Sequence, residues 1–350
     1  MPAAVVNGAR INFVQLCEGD ASGREDLIMV HGLATNMAFW YFKYACEFAK
    51  QFRVTLFDLR GHGRSEMTAS GYSPANLARD MAGLMDHLGI GRAHFIAHSF
   101  GGVITMTFAL GQAERVRSMV LADTHIAAAR HVRTPQEWAY GQTIQEILDR
   151  HGFDLDTRDT YFGYKLITRV AQMQLNGVAV PDELLDLVNP LMSNTSGRTA
   201  AQWLKLMEST SAEKELMGDD GLTIEALRAF KFPIVAMYGD RSPAKLTGTE
   251  LLKVWPHAEF RNIRDAGHFF PASRPEEVVS GCKRFWHGDL AATQRRHRAG
   301  DDGRSFFRSD RIFMDNGSWY FTTREIERVG PFTESEDARE ALDETIAPLR

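Results

Sequence analysis

Cysteine, excess positive charge and long apolar runs are all scarce in this sequence. The 350 residues include three cysteines, Cys17, Cys46 and Cys282, and none lies in a C-x-x-C pair. This excludes a disulfide framework and predicts reduced cysteines in a cytoplasmic protein. No run of 18 apolar residues occurs, so no membrane span is expected, and the N-terminus lacks the pattern of a secretory signal peptide. The formal net charge of −5 gives no support to nucleic-acid binding.

The sequence also lacks the spacings that hold metals and nucleotides. It has no H-E-x-x-H pattern, no Walker loop and no dinucleotide fingerprint, so we expect neither a metal nor any other cofactor. Apolar residues make up 44% of the chain, which is enough for a large core and excludes a largely disordered protein. At about 100–200 residues per domain, the length predicts two domains, or one large domain with an appendage.

Short apolar, β-branched runs alternate with helical patterns over most of the chain. The predicted strands are Ile11–Leu16, Leu27–Val30, Arg53–Phe57, His94–Ala97, Ser118–Ala122, Pro233–Tyr238 and Glu259–Ile263. The predicted helices are Ala38–Phe48, Ala75–Leu88, Gly101–Leu110 and Glu276–Trp286. Such alternation predicts an α/β fold, with a mostly parallel sheet covered by helices on both faces.

One segment interrupts this alternation inside a domain that we place at residues 1–288. Residues 125–230 are helical and aromatic in pattern and contain no obvious strand. We interpret them as a helical lid, inserted between core segments 1–124 and 231–288.

The end of the chain has a third composition. Residues 289–305 are polar and poor in apolar residues, which predicts a linker. Residues 306–350 predict a small module: Asn316-Gly317 between two short apolar runs is a strong hairpin signal, and a helical pattern follows over Glu336–Ile346.

The sharpest motif is Ala97-His98-Ser99-Phe100-Gly101-Gly102, between an apolar strand and an apolar helix. It departs from the G-x-S-x-G elbow only at Ala97, which is small enough for the tight turn. Such a turn lifts the serine hydroxyl out of the sheet, at the positive end of the following helix. Upstream, Met29–Leu33 enters a loop that can aim a backbone N–H at a developing oxyanion. Downstream, Asp265–Pro271 places His268 after the last predicted strand.

With these motifs in this order over about residues 10–288, the sequence resembles the α/β-hydrolase fold superfamily. The resemblance implies Ser99 as nucleophile, His268 as general base, and the backbone N–H groups of Leu33 and Phe100 as the oxyanion hole. It implies a serine hydrolase that cleaves a small-molecule carboxylic ester or thioester with a hydrophobic part, through an acyl-enzyme. Haloalkane dehalogenases and epoxide hydrolases need a carboxylate at the elbow, so Ser99 disfavours both.

The acid that orients His268 has two candidates. In most of the superfamily it follows the strand predicted at Pro233–Tyr238, where this chain has Ser242, with Asp240 two residues earlier. The chain looks like an esterase-like branch that carries the acid after the preceding, sixth strand, where Asp123 lies. We therefore expect Asp123 to complete a Ser-His-Asp triad, with Asp240 as the alternative.

The substrate pocket and the tail are less defined by the sequence. We expect His31, His98, Trp138 and Trp203 to contact the substrate. Two other functions stay open: a non-hydrolytic ligand sensor or partner-binding protein on the same fold, and a C–C hydrolase that uses the same triad. The tail, with its Trp319-Tyr320-Phe321 run, looks like a small bacterial domain of unknown function, through which a protein partner or a second copy could bind.

Overall fold

The computed structural model describes residues 2–129, 139–159, 161–184, 187–188, 197–287, 312–315, 318–321 and 329–332. The chain divides into two compact units, Met1–Thr293 and Gln294–Arg350. Several predictions fall outside the described residues: the pocket residue Trp138, the linker 289–305, the Asn316-Gly317 turn and the helix over Glu336–Ile346.

An eight-stranded sheet forms the centre of the first unit. Its strands are β1 (Ala3–Val6), β2 (Ala9–Leu16), β3 (Asp26–Val30), β4 (Arg53–Phe57), β5 (Ala93–His98), β6 (Val116–Ala122), β7 (Ile234–Gly239) and β8 (Glu259–Ile263). The order is β1-β2-β4-β3-β5-β6-β7-β8, with β1–β2 and β2–β4 antiparallel and the other neighbours parallel. The predicted α/β class with a mostly parallel sheet is confirmed.

Helices cover both faces of this sheet. The helical segments are α1 (Ala38–Trp40), a π-helical turn (Tyr41–Ala45), α2 (Cys46–Phe48), α3 (Pro74–His87), α4 (Phe100–Gly111), α5 (Ala139–Arg150), α6 (Phe162–Leu175), α7 (Arg198–Ser209), α8 (Ala212–Leu216), α9 (Ile224–Leu227), α10 (Lys245–Val254), α11 (Phe270–Ser273) and α12 (Pro275–His287). Consecutive strand residues point to opposite faces: Ile28 and Val30 join one apolar cluster, while Leu27 and Met29 join the other.

Two local details differ from the predicted elements. The strand β1 was not predicted, and it forms a hairpin with β2 through Asn7 and Gly8, both at positive φ. The predicted helix Ala38–Phe48 has a π-helical middle, around which Trp40 and Tyr44 are fully buried while Phe42 is 76% exposed.

The helical insertion after β6 contains two differently packed parts. Residues of α5 and α6, among them Ile144, Phe162 and Val170, form their own apolar cluster, together with Val180, Leu184, Leu187 and Val188. In contrast, Trp203 and Leu206 of α7 belong to the main core, and Gln202 donates to the carbonyls of Gly61 and Gly63. The α7 half of the insertion is therefore fixed to the sheet domain.

The second unit contains an antiparallel three-stranded sheet in the order β11-β10-β9. Its strands are β9 (Ile312–Asp315), β10 (Ser318–Phe321) and β11 (Val329–Phe332), and Ser318 pairs with Asp315. Across the described parts of both units, we find no helix with the length and apolarity that a membrane crossing requires.

Candidate active site

The residues with predicted nucleophile, base and acid roles lie at one edge of the sheet. Ser99 follows β5, Asp123 follows β6 and the loop after β8 carries His268. His268 Nε2 lies 3.0 Å from Ser99 Oγ, and His268 Nδ1 lies 2.7 Å from Asp123 Oδ2. Because parallel strands present their carboxyl ends at the same edge, residues distant in sequence meet there. The structure brings a hydroxyl, an imidazole and a carboxylate into one hydrogen-bonded line.

Ser99 lies at a sharp turn between β5 and α4, with φ 54° and ψ −125°. The two glycines after Phe100 let α4 approach its neighbours closely. A Cβ at Gly101 would lie 2.6 Å from the Val30 carbonyl oxygen, and one at Gly102 would lie 1.9 Å from Thr124 Oγ1. Larger residues would push α4 away from the loops after β3 and β6. The Gly101-Gly102 pair therefore keeps the turn after β5 close to these two loops.

Non-glycine residues with positive φ cluster around this edge. Among the described residues they are Asn7, Ala34, Ser99, Asp123 and Asp265. All but Asn7 lie in the loops that follow β3, β5, β6 and β8. This backbone region is unfavourable for residues with a Cβ, and such strain is typical of functional sites.

Asp123 is fully buried and receives several hydrogen bonds. Its Oδ1 accepts from the Gly239 amide at 2.9 Å, and its Oδ2 accepts from the Ser242 hydroxyl as well as from His268 Nδ1. A buried carboxylate is stable only with such donors, and its contact with Nδ1 orients the His268 ring.

Asp240, the alternative acid, has a different place. Its two carboxylate oxygens accept from the amides of Asp265 at 3.0 Å and Ala266 at 3.1 Å. The carboxylate therefore caps the backbone of the loop that carries His268. Of the two candidates, the structure places Asp123 on the imidazole and Asp240 on the loop.

The predicted oxyanion hole lies against the elbow. A Cβ at Gly32 would be 3.0 Å from Ser99 Cβ, so the residue before Leu33 almost touches the serine. Among the described residues, no partner accepts a hydrogen bond from the amides of Leu33 or Phe100. The Phe100 amide also opens helix α4, whose N-terminal end carries partial positive charge. Two N–H groups beside a serine can stabilise a negatively charged oxygen.

Histidines near the elbow are engaged within the protein. His31 is fully buried; its Nδ1 bonds the Gly32 carbonyl at 2.7 Å, and its Nε2 accepts from the Leu59 amide at 3.0 Å. Burial lowers the pKa of His31 and keeps it neutral. This ring ties the loop after β3 to the loop after β4, and the substrate contact expected of His31 stays a prediction.

Two further predicted pocket residues, His98 and Trp203, are also buried. His98 is fully buried, with Nε2 2.9 Å from the His268 carbonyl oxygen. Trp203 is 2% exposed, and its Nε1 donates to Thr168 Oγ1 at 3.0 Å. In the part of the chain that the structure describes, no group of three His, Cys, Asp or Glu side chains is placed to hold a metal ion.

The sequence analysis assigned no supporting role to three residues that hold this site. Ser242 donates to Asp123, His98 bonds the His268 backbone, and Tyr44 donates to the Pro271 carbonyl at 2.6 Å. Ser242 could have been found, because the position that holds the acid in most relatives must still lie beside the histidine. Local sequence carries no signal for the other two.

Two family models match the chain. The alpha/beta hydrolase fold model matches residues 27–275, and a domain of unknown function (DUF6316) matches residues 297–349. The second match agrees with the expected tail domain of unknown function.

Two of the curated relatives are hydrolases in name, and they match this chain over very different lengths. The soluble epoxide hydrolase of Corynebacterium sp. (strain C12) is 24% identical over 298 residues, which are 81% of this chain and 96% of the relative. The 2-hydroxy-6-oxononadienedioate/2-hydroxy-6-oxononatrienedioate hydrolase of Burkholderia vietnamiensis is 38% identical over 104 residues, 29% of this chain. The chain covers only 36% of the length of that second relative.

Solved structures agree on the fold. Est816, described as an N-acyl homoserine lactone degrading enzyme, superposes with a TM-score of 0.58 at 22% identity, covering 81% of this chain and all of that one. The enol-lactonase from Burkholderia xenovorans LB400 superposes with a TM-score of 0.54 at 23% identity, covering 81% of this chain and 99% of that one. At this identity the likeness concerns the fold alone.

Proposed function

The chain belongs to the alpha/beta hydrolase fold family, and from this premise we propose that it is a serine hydrolase that cleaves a carboxylic ester or thioester. Ser99 is the nucleophile, His268 the general base and Asp123 the orienting acid. The observation that carries the proposal is the hydrogen-bonded line from Ser99 Oγ through His268 to the buried Asp123 carboxylate.

The geometry supports acylation as follows. His268 Nε2 accepts the Ser99 hydroxyl proton as Oγ bonds to the carbonyl carbon, and the carbonyl oxygen becomes an oxyanion that accepts from the amides of Leu33 and Phe100. Asp123 stabilises the imidazolium. When the tetrahedral centre collapses, the bond to the alcohol or thiol breaks, and His268 gives that group its proton.

Deacylation repeats these steps with water. His268 takes a proton from water as its oxygen attacks the acyl-enzyme, and Ser99 leaves with the proton that His268 returns. One acyl group is transferred to water in each cycle. The reaction therefore needs no group beyond the residues described here.

We also propose that the insertion is a lid over Ser99 and favours a substrate with a hydrophobic part. Its α7 helix is anchored at Gly61 and Gly63 through Gln202, in the loop after β4. Trp203 and Leu206 bring apolar surface to that side of the sheet. A serine at the elbow, where epoxide hydrolases need a carboxylate, argues against epoxide opening despite the similarity to the Corynebacterium relative.

A fluorophosphonate probe tests the proposal without knowledge of the natural substrate. We expect stoichiometric labelling at Ser99, located by peptide mass spectrometry, and loss of esterase turnover on labelling. The S99A variant is the control for non-specific reaction. Turnover of an ester by S99A at the wild-type rate, or active protein that never labels, would overturn the proposal.

A C–C hydrolase that uses the same three residues is a second candidate. It is favoured by the 38% identity over 104 residues to a hydrolase named for an oxo-dienedioate substrate. A panel that compares acyl esters of increasing chain length with vinylogous diketones separates the two, because the better substrate class has the higher kcat/KM.

A further inference from the structure

His98 precedes the elbow serine, and its ring lies inside the active-site framework. The side chain is fully buried. Its ring stacks on Phe39 with centroids 4.8 Å apart and planes 23° apart, and lies 4.9 Å from the ring of His268. Its Nε2 is 2.9 Å from the carbonyl oxygen of His268. The residue next to the nucleophile thus touches both the backbone and the ring of the base.

The hydrogen bond determines where the His98 proton lies. A carbonyl oxygen only accepts, so Nε2 must carry the proton and donate it. Nδ1 is buried and has no hydrogen-bond partner in the described part of the chain, so it stays a bare acceptor. The ring is therefore neutral. A neutral ring does not repel the neighbouring His268 when that imidazole takes up a proton during the proposed reaction.

The topology gives this contact its importance. Ser99 follows β5 and His268 follows β8, and two strands, β6 and β7, lie between them in the sheet. The distance between Ser99 Oγ and His268 Nε2 thus depends on how the loop after β8 is held against the elbow. A displacement of about 1 Å in such a site can cost about 10²-fold in rate.

Other contacts hold the flanks of that loop. Asp240 accepts from the amides of Asp265 and Ala266 on one side, and Tyr44 donates to the Pro271 carbonyl on the other. His98 bonds the peptide of His268 itself. Loss of its donor should leave the loop folded and change the placement of the imidazole.

We infer that His98 is a positioning residue, which donates from Nε2 to the His268 carbonyl and so holds the base in register with Ser99. This inference rests on the proposed function, because it assumes that His268 activates Ser99. It assigns His98 neither contact with substrate nor proton transfer.

Two polar variants isolate the hydrogen bond. A glutamine places its Nε2 donor where His98 Nε2 lies, whereas an asparagine places its donor near Nδ1 and loses the contact. Inactivation by a fluorophosphonate in the full-length chain gives kinact and KI for each. We expect H98N to lower kinact by about 10- to 100-fold with KI changed less than about threefold, and H98Q to stay within about threefold of wild type in both.

His94 gives the matched control on the same strand. It is also a buried, hydrogen-bonded histidine, but it lies at the other end of β5. H94Q and H94N should leave kinact unchanged even if they lower the melting temperature. A kinact of H98N within twofold of wild type, or an H98Q variant as impaired as H98N, would overturn the inference.

One measurement is made on the wild-type protein, so it does not depend on how a variant folds. In ¹⁵N-histidine-labelled wild-type protein, with assignment by H98Q, the His98 ring should be neutral with its proton on Nε2; a proton on Nδ1 would overturn the inference. S99A separates the two claims. If S99A still turns over ester, the proposed function fails; if S99A is inactive and H98N is not impaired, this inference alone fails.

Discussion

Two hydrogen-bonded serine–histidine–carboxylate groups lie at opposite ends of strands β5 and β6. Ser99, His268 and Asp123 form the first, at the carboxyl ends. At the amino ends, Ser118 Oγ lies 2.7 Å from His94 Nδ1, and His94 Nε2 lies 3.0 Å from Glu25 Oε2. The distances are similar in both, so the difference in the chemistry that we propose for them must come from their surroundings.

The serine, the histidine and the carboxylate each have different surroundings in the two groups. Ser118 lies within strand β6, is 2% exposed, and accepts a hydrogen bond from Trp286 Nε1 at 3.1 Å. The imidazole is reversed, with the serine on Nδ1 and the carboxylate on Nε2. Glu25 is 48% exposed and pairs with Arg117, whereas Asp123 is completely buried. In the proposed function, Ser99 differs from Ser118 by its strained turn, its buried acid and two nearby amides that have no acceptor among the described residues. The hydrogen bonds of Ser118 instead join β6 to α12.

The largest difference between the two sites should appear when the serine of each is replaced by alanine. We expect S99A to lose on the order of 10⁴- to 10⁶-fold in kcat, as do knockouts in other serine hydrolases, because no other group can form the acyl-enzyme. S118A should keep kcat within about twofold. Steady-state ester hydrolysis measures both, and comparable losses in the two variants would remove the distinction drawn above.

The carboxylates should differ next. We expect D123N to lose on the order of 10⁴-fold in kcat, since an amide can present the wrong hydrogen-bonding partner to His268 Nδ1. D240N should lose far less, because its carboxylate binds loop amides. E25Q should leave kcat unchanged. An inactive D240N variant together with an active D123N variant would reverse the assignment of the acid.

Ser242 sharpens the contrast between a supported and an exposed acid. S242A removes one donor from the buried Asp123 carboxylate. Since a hydrogen bond to a charged group contributes about 1.5–3 kcal/mol, we expect kcat/KM to fall by about 10- to 100-fold. S242T, which keeps the hydroxyl, serves as the control. Equal activity of S242A and wild type would show that Asp123 needs no help from this position.

At the opposite end the expected loss is in stability. S118A leaves His94 Nδ1 and Trp286 Nε1 without their shared partner. We expect the free energy of unfolding to fall by about 1–3 kcal/mol in urea denaturation, with esterase activity of the folded protein unchanged. Unaltered stability of S118A would mean that the hydrogen bonds of Ser118 do not stabilise the packing of α12.

The smallest effect concerns pH. Burial outweighs the bond to Glu25 and lowers the pKa of His94 in the folded protein. As pH falls below about 6.5, the unfolded chain binds a proton at this histidine before the folded chain does, so stability falls. H94Q should flatten the loss of unfolding free energy between pH 6.5 and 5 by at most one proton, about 1.4 kcal/mol per pH unit. An unchanged slope would contradict this.

The sequence predicted the parts of the fold that depend on local pattern. Alternation located seven strands within two residues of their ends, but β1 was missed although Asn7-Gly8 is the same hairpin signal as Asn316-Gly317. The chain order of motifs placed Ser99 and His268. The resemblance, not the spacing, favoured Asp123.

What stayed beyond prediction depends on contacts between distant strands. The bond from His98 to the His268 backbone joins residues that follow β5 and β8. The hydrogen-bonded series from Glu25 through His94 to Ser118 and Trp286 requires that β5, β6, α12 and the residue before β3 come together. No periodicity within one segment encodes such meetings, because they depend on the sheet order and on helix placement.

The left-handed residues Ala34, Ser99, Asp123 and Asp265 have a consequence for any attempt to engineer this protein. Each such conformation costs about 1–3 kcal/mol, against a net stability that is typically about 5–15 kcal/mol. A redesign that ranks substitutions by thermostability alone would favour glycine at these four positions. Under the proposed function, such a redesign would replace both the nucleophile Ser99 and its acid Asp123, and the most heat-resistant variant would be inactive.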